Sequence, residues 1–185
     1  MELVIPTRAH LPSYVDALER GWSPNNMDVE RHRLRELKEI AEDADLFLAN
    51  MTDREAKAGD IQLPDGSFAK RIPGIRRWIW DGEFCGSIGF RWLPGTEELP
   101  PHLLGHIGFA VVPWRRGEGL AAFATREILP EARKLGMRWV TLTCDADNPA
   151  SRRSIENAGG YHIGTREKPA AYQDGDTIEW FRIDV

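Results

Sequence analysis

Cysteine is scarce: only Cys85 and Cys144 occur in 185 residues, too few for a disulfide framework or a thiolate zinc cluster. Each lies in an apolar, strand-like run, where a free thiol reads as an inert core residue. No stretch approaches the roughly 20 apolar positions of a membrane span. The N-terminus, Met1-Glu2-Leu3-Val4-Ile5-Pro6-Thr7-Arg8, lacks a basic run followed by an apolar one. These absences predict a soluble, cytoplasmic protein with no membrane partner. Basic charge is also in deficit, with 24 Lys and Arg against 29 Asp and Glu and a net charge of -5, which disfavours non-specific attraction to nucleic acid. A cationic small substrate suits that balance, although a solvated acidic surface explains it equally well.

What is present is apolar bulk: 42% of residues are hydrophobic, with seven Trp and seven Phe. A chain of this length buries enough surface for one core without disulfides or a structural metal. No internal repeat or low-complexity tract interrupts it. Residues 2–5 read as a strand, and Leu11, Tyr14, Val15 and Leu18 recur at helical spacing up to Arg20. A break at 21–26 precedes a charged helix from Asp28 to about Asn50, with Leu34, Leu37, Ile40 and Ala41 on one face. Residues 51–73 read as a long loop rich in Gly, Pro and Asp. Two extended runs, 75–80 and 83–92, flank Asp81-Gly82 and predict a hairpin. A third strand ends at Pro113, a helix follows from Gly117 to Leu135 with Pro130 bending it, and 139–144, 149–158, 161–165 and 177–183 read as strand, helix, strand and strand. The tryptophans Trp78, Trp80 and Trp92 alternate in the hairpin and read as core or as the wall of an acceptor pocket.

The most informative stretch is Val112-Pro113-Trp114-Arg115-Arg116-Gly117-Glu118-Gly119-Leu120-Ala121, between a strand and an amphipathic helix. Glycines there let backbone approach a ligand, and the first unpaired helix amides make an anion site. A tight turn with no ligand is the plain alternative. A nucleoside-triphosphate loop needs Lys and Ser or Thr after its last glycine, where this chain has Leu120-Ala121. A dinucleotide fingerprint is matched in part by Gly117, Gly119 and Ala122, with Asp145 at the end of the next strand, but Pro113-Trp114-Arg115-Arg116 separates strand from glycine. A third ligand is coenzyme A.

Arg116-x-x-Gly119-x-Ala121 resembles the (Gln/Arg)-x-x-Gly-x-(Gly/Ala) loop of the GNAT superfamily of N-acetyltransferases. Asn148-x-x-Ser151, followed by Asn157-Ala158-Gly159-Gly160-Tyr161, resembles that family's next block. The resemblance covers about residues 74–165. It implies an α/β (α+β) fold with a mixed, mostly antiparallel sheet of about six to seven strands flanked by about four helices. A single domain, 1–185, then divides into an N-terminal part, 1–73, shaping the acceptor site, an acetyl-CoA-binding core, 74–165, and a C-terminal strand in 166–185.

The resemblance further implies acetyl-CoA as co-substrate, an amine acceptor and no metal, in a monomer or a homodimer. The strands 105–112 and 139–144 would splay, with pantetheine between them on the backbone of Ala110, Val111 and Val112. The pyrophosphate would lie on Arg116, Gly117, Glu118, Gly119, Leu120 and Ala121, with Arg115, Arg116, Arg152 and Arg153 near the phosphates. Ala110 is the expected amide donor to the thioester oxygen, and Asn148 and Ser151 are expected at the coenzyme. Asn148 also reads as a helix cap. His106 aligns with a glutamate base of histone-acetylating relatives, and its usual pKa near 6.5 fits that role; a half-buried strand histidine is the alternative, and His102, Glu97 and Glu98 lie close by. Where the family often has an acid tyrosine this chain has Ile155, leaving Tyr161 and Ser151 as substitutes.

Overall fold

A computed structural model describes residues 1–169, 172 and 177–185 of the chain. The hairpin expected at Asp81-Gly82 forms: strand β5 (Gly74–Trp80) pairs antiparallel with β6 (Phe84–Arg91), and Gly82 takes φ 79, the left-handed backbone a tight turn requires. Strand β7 (Ile107–Val111) pairs antiparallel with β6, while β1 (Glu2–Val4) and the short β2 (Thr52–Asp53) pair with β5. This first sheet therefore runs β1-β5-β6-β7. A second sheet holds β8 (Trp139–Asp145), β10 (Thr177–Asp184) and β9 (Tyr161–Glu167), in the order β8-β10-β9. The single sheet expected from the sequence is thus two sheets, both antiparallel within themselves, which also removes the doubly wound parallel arrangement of a dinucleotide fold.

Alternate residues of the first sheet serve two separate cores. Ile75, Ile79, Ile88, Phe90 and Ile107 pack on helix α4 (Leu120–Lys134), through its buried Leu120, Ala124, Ile128 and Ala132. Pro130 sits exposed inside α4, at a position where its missing N–H and ring face solvent. Trp78, Phe84 and Val112 pack instead on Tyr14, Leu18 and Phe47 from α1 (Leu11–Glu19) and α3 (Ala44–Ala49). Tyr14 stacks on Trp78 with ring centroids 4.1 Å apart and planes 9° off parallel.

The helix expected over 28–50 is two helices. Asp43 is extended (φ -156, ψ 92) and ends α2 (Val29–Glu42); its carboxylate accepts the amides of Asp45 and Leu46 at 3.1 and 3.0 Å, which starts α3. Leu34 is exposed and the buried residue of α2 is Glu36, while Leu37 and Ile40 do pack against the core. The segment 51–73 is not all loop: beside β2 it carries a small hairpin of β3 (Ile61–Gln62) and β4 (Phe68–Ala69). Helix α5 (Pro149–Asn157) follows β8. Among the described residues no helix is long and apolar enough to cross a membrane.

Candidate active site

Strands β7 and β8 belong to different sheets and touch at one place. The amide of His106 donates to the Thr141 carbonyl at 2.7 Å, and the Thr143 hydroxyl donates to the Leu104 carbonyl at 3.3 Å. Gly105 makes this closeness feasible, because a Cβ there would lie 2.9 Å from the Thr141 oxygen and 3.1 Å from the Leu142 Cα, and its φ is +82. Beyond this pinch no ladder joins the two strands, whose facing edges are unpaired with each other. The strands expected to splay, 105–112 and 139–144, thus lie at the edges of two different sheets.

Ladder parity decides which amides face that opening. In an antiparallel pair, alternate residues exchange hydrogen bonds with the partner strand, and the residues between them point the other way. Val112 donates to the Cys85 carbonyl at 3.0 Å, and Arg91 donates to the His106 carbonyl at 2.9 Å. With the register Ser87↔Ala110 and Gly89↔Gly108, the even-numbered residues of β7 bond to β6. The amides of Ala110 and Val112 are therefore directed into the sheet, and those of Phe109 and Val111 face the gap. This corrects Ala110 as amide donor and Val112 as a backbone partner of pantetheine; the amides turned away from β6 are those of Phe109 and Val111.

A 3-10 turn at Pro113–Arg115 leads from β7 to the glycine turn, where Gly117 and Gly119 both adopt left-handed backbone, φ 85 and 76. No side chain caps α4, and a Cβ on either glycine meets nothing within 4 Å. An uncapped helix start opening on free space is what an anion needs. Leu120 and Ala121 are buried and pack their side chains inward in the first turn of α4. Arg115 is turned elsewhere: it bonds Glu118 at 2.9 Å and Asp81 at 2.9 Å, which raises its pKa and neutralises it, so it braces the turn against the hairpin instead of waiting for phosphate, and Glu118 is held with it. Arg152 is likewise held by Glu156 and Glu179 at 3.0 and 3.2 Å. Arg116 and Arg153 are exposed at the turn and on α5 and remain able to meet phosphates.

Residues 31–160 match the model of the acetyltransferase (GNAT) domain. The chain belongs to the GNAT family. Its fold is similar to that of the microcin C7 self-immunity acetyltransferase MccE in complex with acetyl-CoA and AMP, at 12% identity, covering 99% of this chain and 91% of that one, with a TM-score of 0.63. It is also similar to RimL, the ribosomal L7/L12 alpha-N-protein acetyltransferase, in complex with coenzyme A (15% identity, 99% and 93% covered, TM-score 0.61). Spermidine N-acetyltransferase SpeG from Vibrio cholerae is a further match (13% identity, 100% and 95% covered, TM-score 0.54). No curated protein matches the chain. Among the described residues no cluster of His, Cys, Asp or Glu is arranged to hold a metal ion.

In this GNAT chain Asn148 caps α5, its side-chain oxygen accepting the Ser151 amide at 3.0 Å. The side-chain NH2 stays free as a donor toward a coenzyme. Asn148→Ala is expected to cost about 1 kcal/mol, read as a fall of about 2–4 °C in melting midpoint. Loss of the NH2 donor should also weaken acetyl-CoA binding about five-fold in calorimetry.

His106 does not suit the role of direct base. It is 1% exposed, and its Nδ1 accepts the Thr141 amide at 3.0 Å, which leaves the neutral ring's proton on a buried Nε2. The ring thus has no free lone pair to take a proton. Burial first, and Arg91 second, push its pKa down to about 4. The folded chain therefore favours the neutral ring, so the stability this residue contributes is complete above pH 6.5 and falls away as pH drops through 4. Between pH 7 and 4.5 the wild type should lose about 2–3 kcal/mol more than His106→Asn in denaturant unfolding.

Ile155, at the position of the family's tyrosine, is fully buried and packs in the α4 core. Tyr161 is 45% exposed on β9, its hydroxyl reaching Asp184 at 3.3 Å. Since β10 separates β9 from β8, Tyr161 stands at the far edge of the second sheet and is not brought to the gap. This corrects Tyr161 as general acid. Cys144 is buried on β8, and burial pushes its thiol up to about 11, consistent with an inert core residue.

Proposed function

We propose that the protein moves the acetyl group of acetyl-CoA to a primary amine of a small molecule or a protein by direct attack on the thioester. The gap between β7 and β8, opening beside the uncapped glycine turn, carries this reading. Pyrophosphate lies on the amides from Arg116 to Ala121, pantetheine follows Val111, and the Phe109 amide donates to the thioester oxygen. Negative charge grows on that oxygen as the amine adds, where one placed donor is worth about 3 kcal/mol. The tetrahedral adduct then expels the coenzyme thiolate, whose conjugate thiol has a pKa of about 8.5, so it departs without an acid from Tyr161 or Ile155. An alkyl ammonium with a pKa of about 10 must first lose a proton, and with His106 sealed that proton leaves through water in the open gap. Both acceptor classes occur among the neighbours, spermidine for SpeG and a ribosomal protein for RimL. The reaction is placed in the cytoplasm, in keeping with two free buried thiols and a net charge of -5.

A ligand at about a hundred times its dissociation constant adds roughly 2.7 kcal/mol, so acetyl-CoA and free coenzyme A should each raise the melting midpoint by about 5–10 °C, and NAD should not. Thiol release over a panel of amines then reads transfer. No shift with either form of the coenzyme would sink the proposal. A second reading, a non-catalytic acyl-CoA sensor, is favoured by the sealed His106 and the core position of Ile155. It predicts the same midpoint shifts with no thiol release above background.

A further inference from the structure

On the face of the first sheet that carries α1, ladder partners stand in rows. Trp78, Ser87 and Ala110 form one row; Arg76, Gly89 and Gly108 the next; Gly74, Arg91 and His106 the third. The middle row is an open floor, since a Cβ on Gly108 meets nothing within 4 Å and one on Gly89 meets only two carbonyl oxygens at 3.9 Å. Arg76, at one end, is neutralised by Glu36 at 2.9 Å. Arg91 has no such partner. Its Nε donates to the Gly105 carbonyl at 2.9 Å and Nη2 approaches the Leu104 carbonyl at 3.5 Å, and among the described residues no carboxylate lies within 4 Å of it.

A desolvated guanidinium is normally held by an anion, because carbonyl dipoles replace only part of its lost hydration. Burial accordingly lowers the pKa of Arg91, opposed by the Tyr172 phenol and by no carboxylate among the described residues. The group sits where β7 and β8 pinch together, with donors to spare beside the glycine floor. We propose that Arg91 is a specificity-determining residue that binds a carboxylate on the amine acceptor. This rests on the acetyl-transfer reading above and gives it a substrate class, an amino acid or other amino-carboxylate. Phe109, the amide proposed to face the thioester oxygen, lies three residues from His106 along the strand, about 10 Å at strand rise. The amine and the carboxylate are therefore separated by several bonds, as in an ω-amino acid. The acceptor is zwitterionic, which reconciles a positive site with the acidic net charge of the chain.

The test compares thiol release with 4-aminobutyrate and 6-aminohexanoate against the amides of the same two acids. The carboxylates should show at least a ten-fold higher kcat/KM, mainly through KM. The advantage should fall to near one in Arg91→Gln and survive in part in Arg91→Lys, with acetyl-CoA still raising the melting midpoint of each variant. Equal turnover of acids and amides by the wild type overturns the proposal, as does an advantage unchanged in Arg91→Gln. If acetyl-CoA binds but no amine is acetylated, the transfer reading fails by itself. Calorimetry with N-acetyl-6-aminohexanoate and its amide, in the presence of coenzyme A, then decides Arg91: tighter binding of the acid supports the site, and equal binding overturns it.

Discussion

Gly119→Val should abolish acetyl-CoA binding while leaving a folded protein. Gly119 holds φ 76 at the start of α4, a conformation that costs a β-branched residue of order 1–3 kcal/mol. A Cβ there meets no protein atom within 4 Å, so the native packing tolerates the added atoms and the space they take is the ligand's. The midpoint should drop by a few degrees without ligand, and the rise of about 5–10 °C given by acetyl-CoA should vanish. Thiol release should fall at least a hundred-fold at any acetyl-CoA level near the wild-type KM. Gly119→Ala separates the two effects, since it carries most of the backbone strain and little of the bulk. If the valine variant keeps its acetyl-CoA shift, the glycine turn is only a turn.

The second large effect lies far from the coenzyme. Glu36 is 2% exposed, accepts from Arg76 at 2.9 Å and is bonded by the Tyr14 hydroxyl. Burial, with the Glu36 carboxylate second, holds the Tyr14 phenol well above its usual pKa. Glu36 is buried but Arg76 keeps 35% of its side chain exposed, so removing Glu36 strands a guanidinium that water still reaches in part, a loss of about 2–3 kcal/mol. Glu36→Leu should therefore lower the melting midpoint by about 4–12 °C. The double variant Glu36→Leu with Arg76→Met removes both charges and should recover at least half of the loss, because the penalty belongs to the stranded guanidinium. A double variant no more stable than the single would show that helix packing, not charge, makes Glu36 important.

The sequence made some of this visible and hid the rest for identifiable reasons. The Asp81-Gly82 hairpin and the glycine turn were legible because backbone demands of that kind admit few residue types. The break at Asp43 was not, since a charged residue within a charged helix signals nothing until its carboxylate is seen capping the next one. Glu36 was hidden by the same convention, as helical periodicity assigned the apolar face to Leu34 and its neighbours. The family pattern points to Ala110, whereas the choice between Phe109 and Ala110 turns on ladder parity, which follows from the register of β6 against β7 and leaves no mark on residue type. His106 stands out in the sequence as titratable, but its tautomer depends on Thr141, 35 residues away along the chain. Arg91 had no motif around it at all.

The pinch at Gly105 has a consequence for solubility. Strand edges with free amides and carbonyls invite pairing with other chains, and both β7 and β8 turn such an edge toward their shared gap. Inserting one more strand requires its neighbours to stand about 10 Å apart, twice the usual spacing. Two sheets stitched together at Gly105 leave no such spacing beside the pinch, so a foreign peptide cannot register along the full length of either edge. In the proposed coenzyme site a slender chain carrying its own amides, such as pantetheine, would serve as a surrogate strand, so that two sticky edges are guarded by aiming each at the other.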